Sequence, residues 1–181
     1  ATRLAESDDA YEYGRGLYTY NQSLLLGLRV TGDLRYLDEV DRVLQIVRGN
    51  LADEWCDGVD PVRTGSYGEV DGDGDGYLNF RRRFDEGETY CRDSSDLEEA
   101  MVHGHLAMAM HAFEQNRDLE SPGDVDYGER ADFWLEYLQD HFEAKWRERN
   151  RARWPRFPFL QRPYVHPTLA MVNYHYFMHR L

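Results

Sequence analysis

Within the stretch "VDGDGDGYLNF", Asp71, Asp73, Asp75 and Asn79 occupy positions 1, 3, 5 and 9 of a calcium loop. Gly76 stands at the sharply turning sixth position, and the carbonyl of Tyr77 is available at the seventh. A hard cation takes oxygen ligands, and this spacing supplies them. Position 12 is Arg82, where sensor loops carry a bidentate glutamate. The expected role is therefore structural: a Ca2+ ion, its shell completed by Asp85 or Glu86, that stiffens a long loop. The plainer alternative is a solvated acidic turn.

A second set of chemically capable residues stands on apolar stretches. Asn21 opens "NQSLLL", His103 opens "HGHLAM" and His166 opens "HPTLAM", so one polar position recurs in three segments of similar texture. His105 and the run Asn173, Tyr174, His175 add imidazole, amide and phenol groups. Such groups hydrogen-bond sugars or move protons. A lone histidine on an apolar helix is more often a core residue, and His111 and His179 are read that way. Zinc is not favoured: HExxH and paired CxxC motifs are absent, and two histidines at i and i+2 of a helix point to different faces.

These residues need elements to position them. The segment 10–30 is apolar nearly all round and ends at "TGD", which predicts a buried helix. In the next segment Leu37, Val40, Val43, Leu44, Val47 and Leu51 recur at helical spacing among charges, which predicts an amphipathic cover. A second pair repeats the pattern. "SSDLEEAMVHGHLAMAMHAFEQN" opens with a capping box, Ser95 and Glu98, and is apolar on most faces. "GERADFWLEYLQDHFEAKWRERN" is again amphipathic. Laying Trp55 on Trp146 brings Asp41 onto Asp132, Leu44 onto Leu135, Val47 onto Leu138 and Leu51 onto Phe142. A third unit begins at His166.

Alternating buried and amphipathic helices predict an all-α chain of helical hairpins around a curved axis, an α/α toroid. Residues 1–181 form one such domain, a portion of the ring whose third inner helix lacks an outer partner. The alternative is a small helical bundle complete in itself. The links 56–94 and 150–165 are long and fall at the end where the inner helices begin, which is where a site is expected.

Composition narrows the partners. The chain has 181 residues, 41% of them hydrophobic, enough for one folded core. No apolar run reaches 18 residues, so no membrane span is expected. A net charge of −13 argues against nucleic acid, because phosphate binding needs a basic face. All basic residues except Lys145 are arginine, the side chain that forks a carboxylate with two parallel bonds. Cys56 and Cys91 flank the calcium-like loop; a disulfide between them would stabilise it by about 3–4 kcal/mol and implies a secreted or periplasmic setting. Two free thiols are the alternative.

The helix-pair repeat, the phrase "TGDLRYLDEVDRVLQIV", the histidine-rich inner helices and the "DGDGDGYL" loop together resemble α/α-toroid carbohydrate-active enzymes, particularly alginate-lyase-like polysaccharide lyases. The resemblance implies cleavage of a uronate-containing polysaccharide by β-elimination. His103 and His166, with Asn21, would lie near the substrate carboxylate, and Tyr174 or His175 would transfer protons. His105, Asn173 and Arg162 would bind substrate, as would Arg81–Arg83 if that run is not simply solvated. Two readings stay open beside it. A glycoside hydrolase would use paired acids such as Glu98 and Glu99, with Asp93 and Asp96 close by, and a sugar epimerase would use the histidines. A non-catalytic glycan-binding protein would use Tyr, Trp and His as stacking platforms.

Overall fold

A computed structural model describes residues 10–51, 76–78, 80, 96–149 and 165–180, with side chains omitted at 10, 11, 96–99, 146, 148, 149 and 165–168. Among the described residues there are helices and connecting turns and no strand. In chain order these are α1 (Ala10–Thr31), α2 (Arg35–Arg48), α3 (Asp96–Gln115), α4 (Tyr127–Glu136), a π-helical segment (Tyr137–Glu143), α5 (Ala144–Arg149) and α6 (Val165–Met178). The all-helical expectation holds, but α1, expected to be a buried helix, buries only one side, with Tyr13, Leu17 and Asn21 inward and Tyr18, Leu26 and Val30 exposed.

α1, α3 and α6 lie side by side, with α3 in the middle packed on both neighbours, while α2 covers α1 and α4 covers α3. The covering helices are those whose apolar residues fall in a stripe. Leu37, Val40, Val43, Leu44 and Val47 are all buried on α2, and the charges between them face outward. α3 is apolar on nearly every side because it is enclosed on nearly every side: Ala100, Val102, Leu106, Ala107, Ala109, Met110 and Phe113 are all buried.

The "TGD" break works through backbone chemistry. Gly32 takes the left-handed conformation, φ 70°, which ends α1 with its N–H donating to the Leu28 carbonyl at 2.7 Å. Asp33 then accepts the Arg35 N–H at 3.0 Å and starts α2. At the next hairpin Asp126 accepts the Glu129 N–H at 2.9 Å and caps α4.

The two covering helices are bolted together by charge. Arg130 Nε donates to Asp41 Oδ1 at 2.6 Å, and Asp41 also accepts from Gln45 at 2.8 Å. The aligned pair Asp41 and Asp132 is not equivalent in space. Asp41 is buried in this interface, whereas Asp132 is exposed and paired with Arg117.

The glycine of "HGH" has a packing role. A Cβ on Gly104 would lie 2.7 Å from the Ala170 carbonyl oxygen, so α3 and α6 approach closely where only glycine fits. That contact sets the register in which α6 presents Tyr174 to the rest of the fold.

Candidate functional site

The outer element after α4 leaves α-helical geometry at Tyr137 and returns to it at Ala144. A π turn adds a residue to each hydrogen-bonded ring and so re-aims the side chains that follow, a feature often found at functional sites. Here Tyr137, Leu138 and Phe142 are all buried, and Glu143 reaches α6. Periodicity alone read this segment as a plain amphipathic helix.

Around the π segment a cluster of rings and polar groups assembles. His103 Nε2 and the Tyr137 hydroxyl are 2.8 Å apart in a hydrogen bond, and the His103 ring stacks on Phe142 with centroids 3.9 Å apart. The Tyr174 hydroxyl donates to Glu143 Oε1 at 2.8 Å. Arg147, one turn on, donates to Glu143 Oε2 at 3.1 Å. Phe142 lies edge-on to Tyr174 at 5.3 Å, joining the two hydrogen-bonded pairs through one ring.

Electrostatics separates the titratable members by role. Burial, and then the charge of Glu143, hold the Tyr174 phenol well above its ordinary 10.0, so it keeps its proton at neutral pH. Burial lowers the His175 imidazole, with Glu143 opposing and His179 assisting. A protonated phenol and an imidazole biased toward its neutral form therefore stand side by side on α6. His179 is exposed and stacks on half-buried His175 at 6.0 Å, which places a line of imidazoles from solvent toward Tyr174.

The long loop reaches the same cluster. Gly76 takes φ 82°, the left-handed turn that the sixth position of a calcium loop requires. Two residues later the Leu78 N–H donates to His141 Nδ1 of the π segment at 3.1 Å. Phe80 is buried among Tyr13 at 5.6 Å, His103 at 6.0 Å and Tyr137 at 6.1 Å. Residues 76–80 thus arrive at the buried polar groups and fill the space beside them.

The structure distributes the sequence-derived residues as follows. His103, Tyr174 and His175 meet at the π segment. Asn21 and His105 are buried together one step away, with Asn21 Nδ2 donating to the His105 carbonyl at 3.5 Å. Burial drops His105 to about 4, so it offers a neutral ring and not a positive charge. Asn21 Oδ1 has no hydrogen-bond partner among the described residues. Asn173 is exposed, whereas its neighbour Tyr174 is buried. His166 begins α6 in the backbone, and its side chain lies outside the described set, as do those of Glu98 and Glu99 at the start of α3. Of the metal-loop residues, Tyr77 is half-buried; Asp71, Asp73, Asp75 and Asn79 lie outside the described residues, as do Arg162, Arg81–Arg83, Ser95, Cys56 and Cys91. His111 is buried as expected, whereas His179, read as a core residue, is exposed.

Glu143, Tyr137 and Phe80 were not singled out by the sequence. Glu143 and Tyr137 sit in a stretch whose charges read as a solvated face, and Phe80 follows an acidic turn. The "YLQDHFE" run, with three aromatic or imidazole rings in seven residues, was the available signal.

No helix among the described residues is long and apolar enough to cross a membrane, and among them no group of three or more His, Cys, Asp and Glu side chains is arranged to hold a metal. Compared with known proteins, the chain shows no significant match to any protein-family model, any curated protein sequence or any solved structure.

Proposed function

We propose that this protein is a polysaccharide lyase of α/α-toroid type that cleaves an acidic, uronate-containing polysaccharide by β-elimination. One observation carries the reading: a buried tyrosine that keeps its proton, Tyr174, is hydrogen-bonded to Glu143 and lies next to His175, an imidazole biased toward its neutral form. β-Elimination needs that combination. A base removes the C5 proton, the C4–O bond breaks as the C4–C5 double bond forms, and an acid protonates the departing oxygen.

In this reading His175 takes the C5 proton and passes it toward solvent by way of His179. Tyr174 delivers the proton now shared with Glu143 to the leaving alkoxide, which is basic enough to accept from a phenol. Arg147 brings positive charge to the rim of the pair, where a uronate carboxylate would lie. The His103–Tyr137 pair holds the π segment, and with it Glu143, in position. A hydrolase would need a second carboxylate flanking the bond, and Glu143 is already engaged by Tyr174 and Arg147.

A structural Ca2+ belongs to the same proposal, held by Asp71, Asp73, Asp75, Asn79 and the Tyr77 carbonyl. Its support is the left-handed turn at Gly76 and the docking of Leu78 and Phe80 on the cluster. The ion supplies rigidity to the loop. The secreted or periplasmic setting and the Cys56–Cys91 bond are parts of this reading.

The test is ultraviolet absorbance from unsaturated uronate ends, followed with the full chain on a panel of acidic polysaccharides. A rising signal on one polymer, slowed after chelation, is the expected result. New reducing ends without absorbance would replace the lyase with a hydrolase, and the absence of new ends on all polymers would favour a glycan-binding protein.

A further inference from the structure

Two imidazoles stand one turn apart at the end of the last helix. His175 lies within α6 and His179 in the turn that closes it. The His179 N–H donates to the His175 carbonyl at 3.0 Å, so helical spacing runs unbroken from one to the other. Residues four apart share a face of a helix. His103 and His105, two apart, diverge: one ring turns to Phe142 of the π segment, the other to Tyr18 of α1. The rings of His175 and His179 instead lie together, 6.0 Å apart and only 15° from parallel. His175 is half-buried and His179 is exposed, so the pair opens to solvent.

Paired histidines at this spacing can chelate a divalent transition-metal ion. Imidazole nitrogen suits zinc, copper and nickel, whereas calcium and magnesium take oxygen. Tetrahedral zinc holds each imidazole nitrogen at about 2.0–2.1 Å, which sets two ligating ring centres about 5 Å apart. The observed 6.0 Å closes with a shift of about 1 Å, which an exposed side chain makes by turning about its own bonds. The surroundings tolerate a cation. Glu143 is near enough to act on His175 electrostatically, but its two oxygens are engaged by Tyr174 and Arg147, so it is a neighbouring charge and not a ligand. The Arg180 guanidinium is drawn aside over the Tyr176 ring, 4.9 Å from its centroid. Ligation needs an imidazole without its extra proton, and burial already biases His175 that way.

We propose that His175 and His179 form a two-histidine site for a divalent transition-metal ion of the zinc class, with water completing its shell. The remaining positions stay open to an outside ligand. The site differs from the calcium-like loop in donor chemistry, nitrogen here and oxygen there. Binding at the pair does not depend on the lyase reading. One consequence does rest on it: the ion would hold the nitrogen lone pairs that receive the C5 proton, and zinc would therefore stop cleavage.

The experiment is calorimetric titration of the full chain with zinc chloride in excess Ca2+, which occupies oxygen-donor sites, alongside His179→Ala, His175→Asn and the double variant. His179 is exposed, so circular dichroism should report unchanged helicity for His179→Ala. The native chain is expected to bind one zinc that the double variant does not. Each single variant is expected to bind it at least about tenfold more weakly, since loss of even an outer-shell partner costs about that much. Magnesium in place of zinc should give no such site. A native chain that binds zinc no better than the double variant overturns the proposal. So does native affinity in His179→Ala, which would place the ion elsewhere.

Discussion

Two tyrosine–carboxylate pairs in this molecule use the same hydrogen bond in different surroundings. Tyr127 donates to Asp38 Oδ1 at 2.5 Å where α4 meets α2, and Tyr174 donates to Glu143 at 2.8 Å where α6 meets the π segment. Asp38 Oδ1 also accepts from Ser121 Oγ at 2.6 Å, and Ser121 Oγ accepts from the Gly123 N–H at 2.9 Å. That pair is embedded in a chain of fixed local bonds between covering helices, and it locks them. Burial and Asp38 push Tyr127 up to about 12, so it keeps its proton at neutral pH and remains a donor. The Tyr174 pair adjoins a titratable imidazole and a guanidinium at the rim. The difference teaches that a tyrosine–carboxylate bond is not itself a site; what surrounds it decides whether a proton has somewhere to go.

The strongest way to break the comparison is Tyr174→Phe. Removing the hydroxyl deletes the proposed acid and should lower uronate cleavage by about 10²–10⁴-fold, the usual worth of a positioned general acid. Phe80→Ala tests the loop's hold on the cluster. Emptying a fully buried ring site should cost about 3–5 kcal/mol in denaturant unfolding, with activity falling as the loop loses its anchor.

Protonation offers a third test. His105 binds a proton more weakly folded, at about 4, than in the unfolded chain near 6.5. Between those values the unfolded state holds more protons, so stability rises with pH and is lost as pH falls from 6.5 toward 4. The shift corresponds to about 3 kcal/mol, and His105→Leu should flatten the stability–pH curve over that window. A variant whose curve matches the native one would place the acid sensitivity elsewhere.

Two smaller effects sharpen the contrast. Gly104→Ala forces α6 away from α3 and should cost about 1–3 kcal/mol by overpacking, with a drop in kcat as Tyr174 shifts against Glu143. Tyr127→Phe removes one bond to Asp38 and should cost about 1.5 kcal/mol in thermal unfolding while leaving kcat near native.

Much of the helical framework could be read from the residues. The stripe from Leu37 to Val47 on α2 and the all-round apolar character of α3 are periodic signals, and both elements fold as read because burial follows pattern. Gly32 and Asp33 marked the first turn for reasons local to the backbone. The pairings at the site were less legible. The π turn depends on how Tyr137 and Phe142 pack against His103, a tertiary effect that periodicity does not carry. It is the reason Glu143, apparently one more surface charge, reaches Tyr174. The offset that laid Asp41 on Asp132 matched residue types without matching environments, since Arg130 finds only the first. The recurrence of Asn21 and His103 did place both in the interior, although Asn21 meets the His105 backbone and not the His103 ring.

The most direct test of the central claim sets Tyr174→Phe beside Tyr127→Phe in the ultraviolet assay, on the acidic polymer that gives the proposed signal with the native chain. The account predicts that absorbance growth collapses for Tyr174→Phe and proceeds at nearly the native rate for Tyr127→Phe, with both variants folded by circular dichroism. Equal rates for the two variants would contradict it, because the two tyrosine–carboxylate pairs would then both be structural.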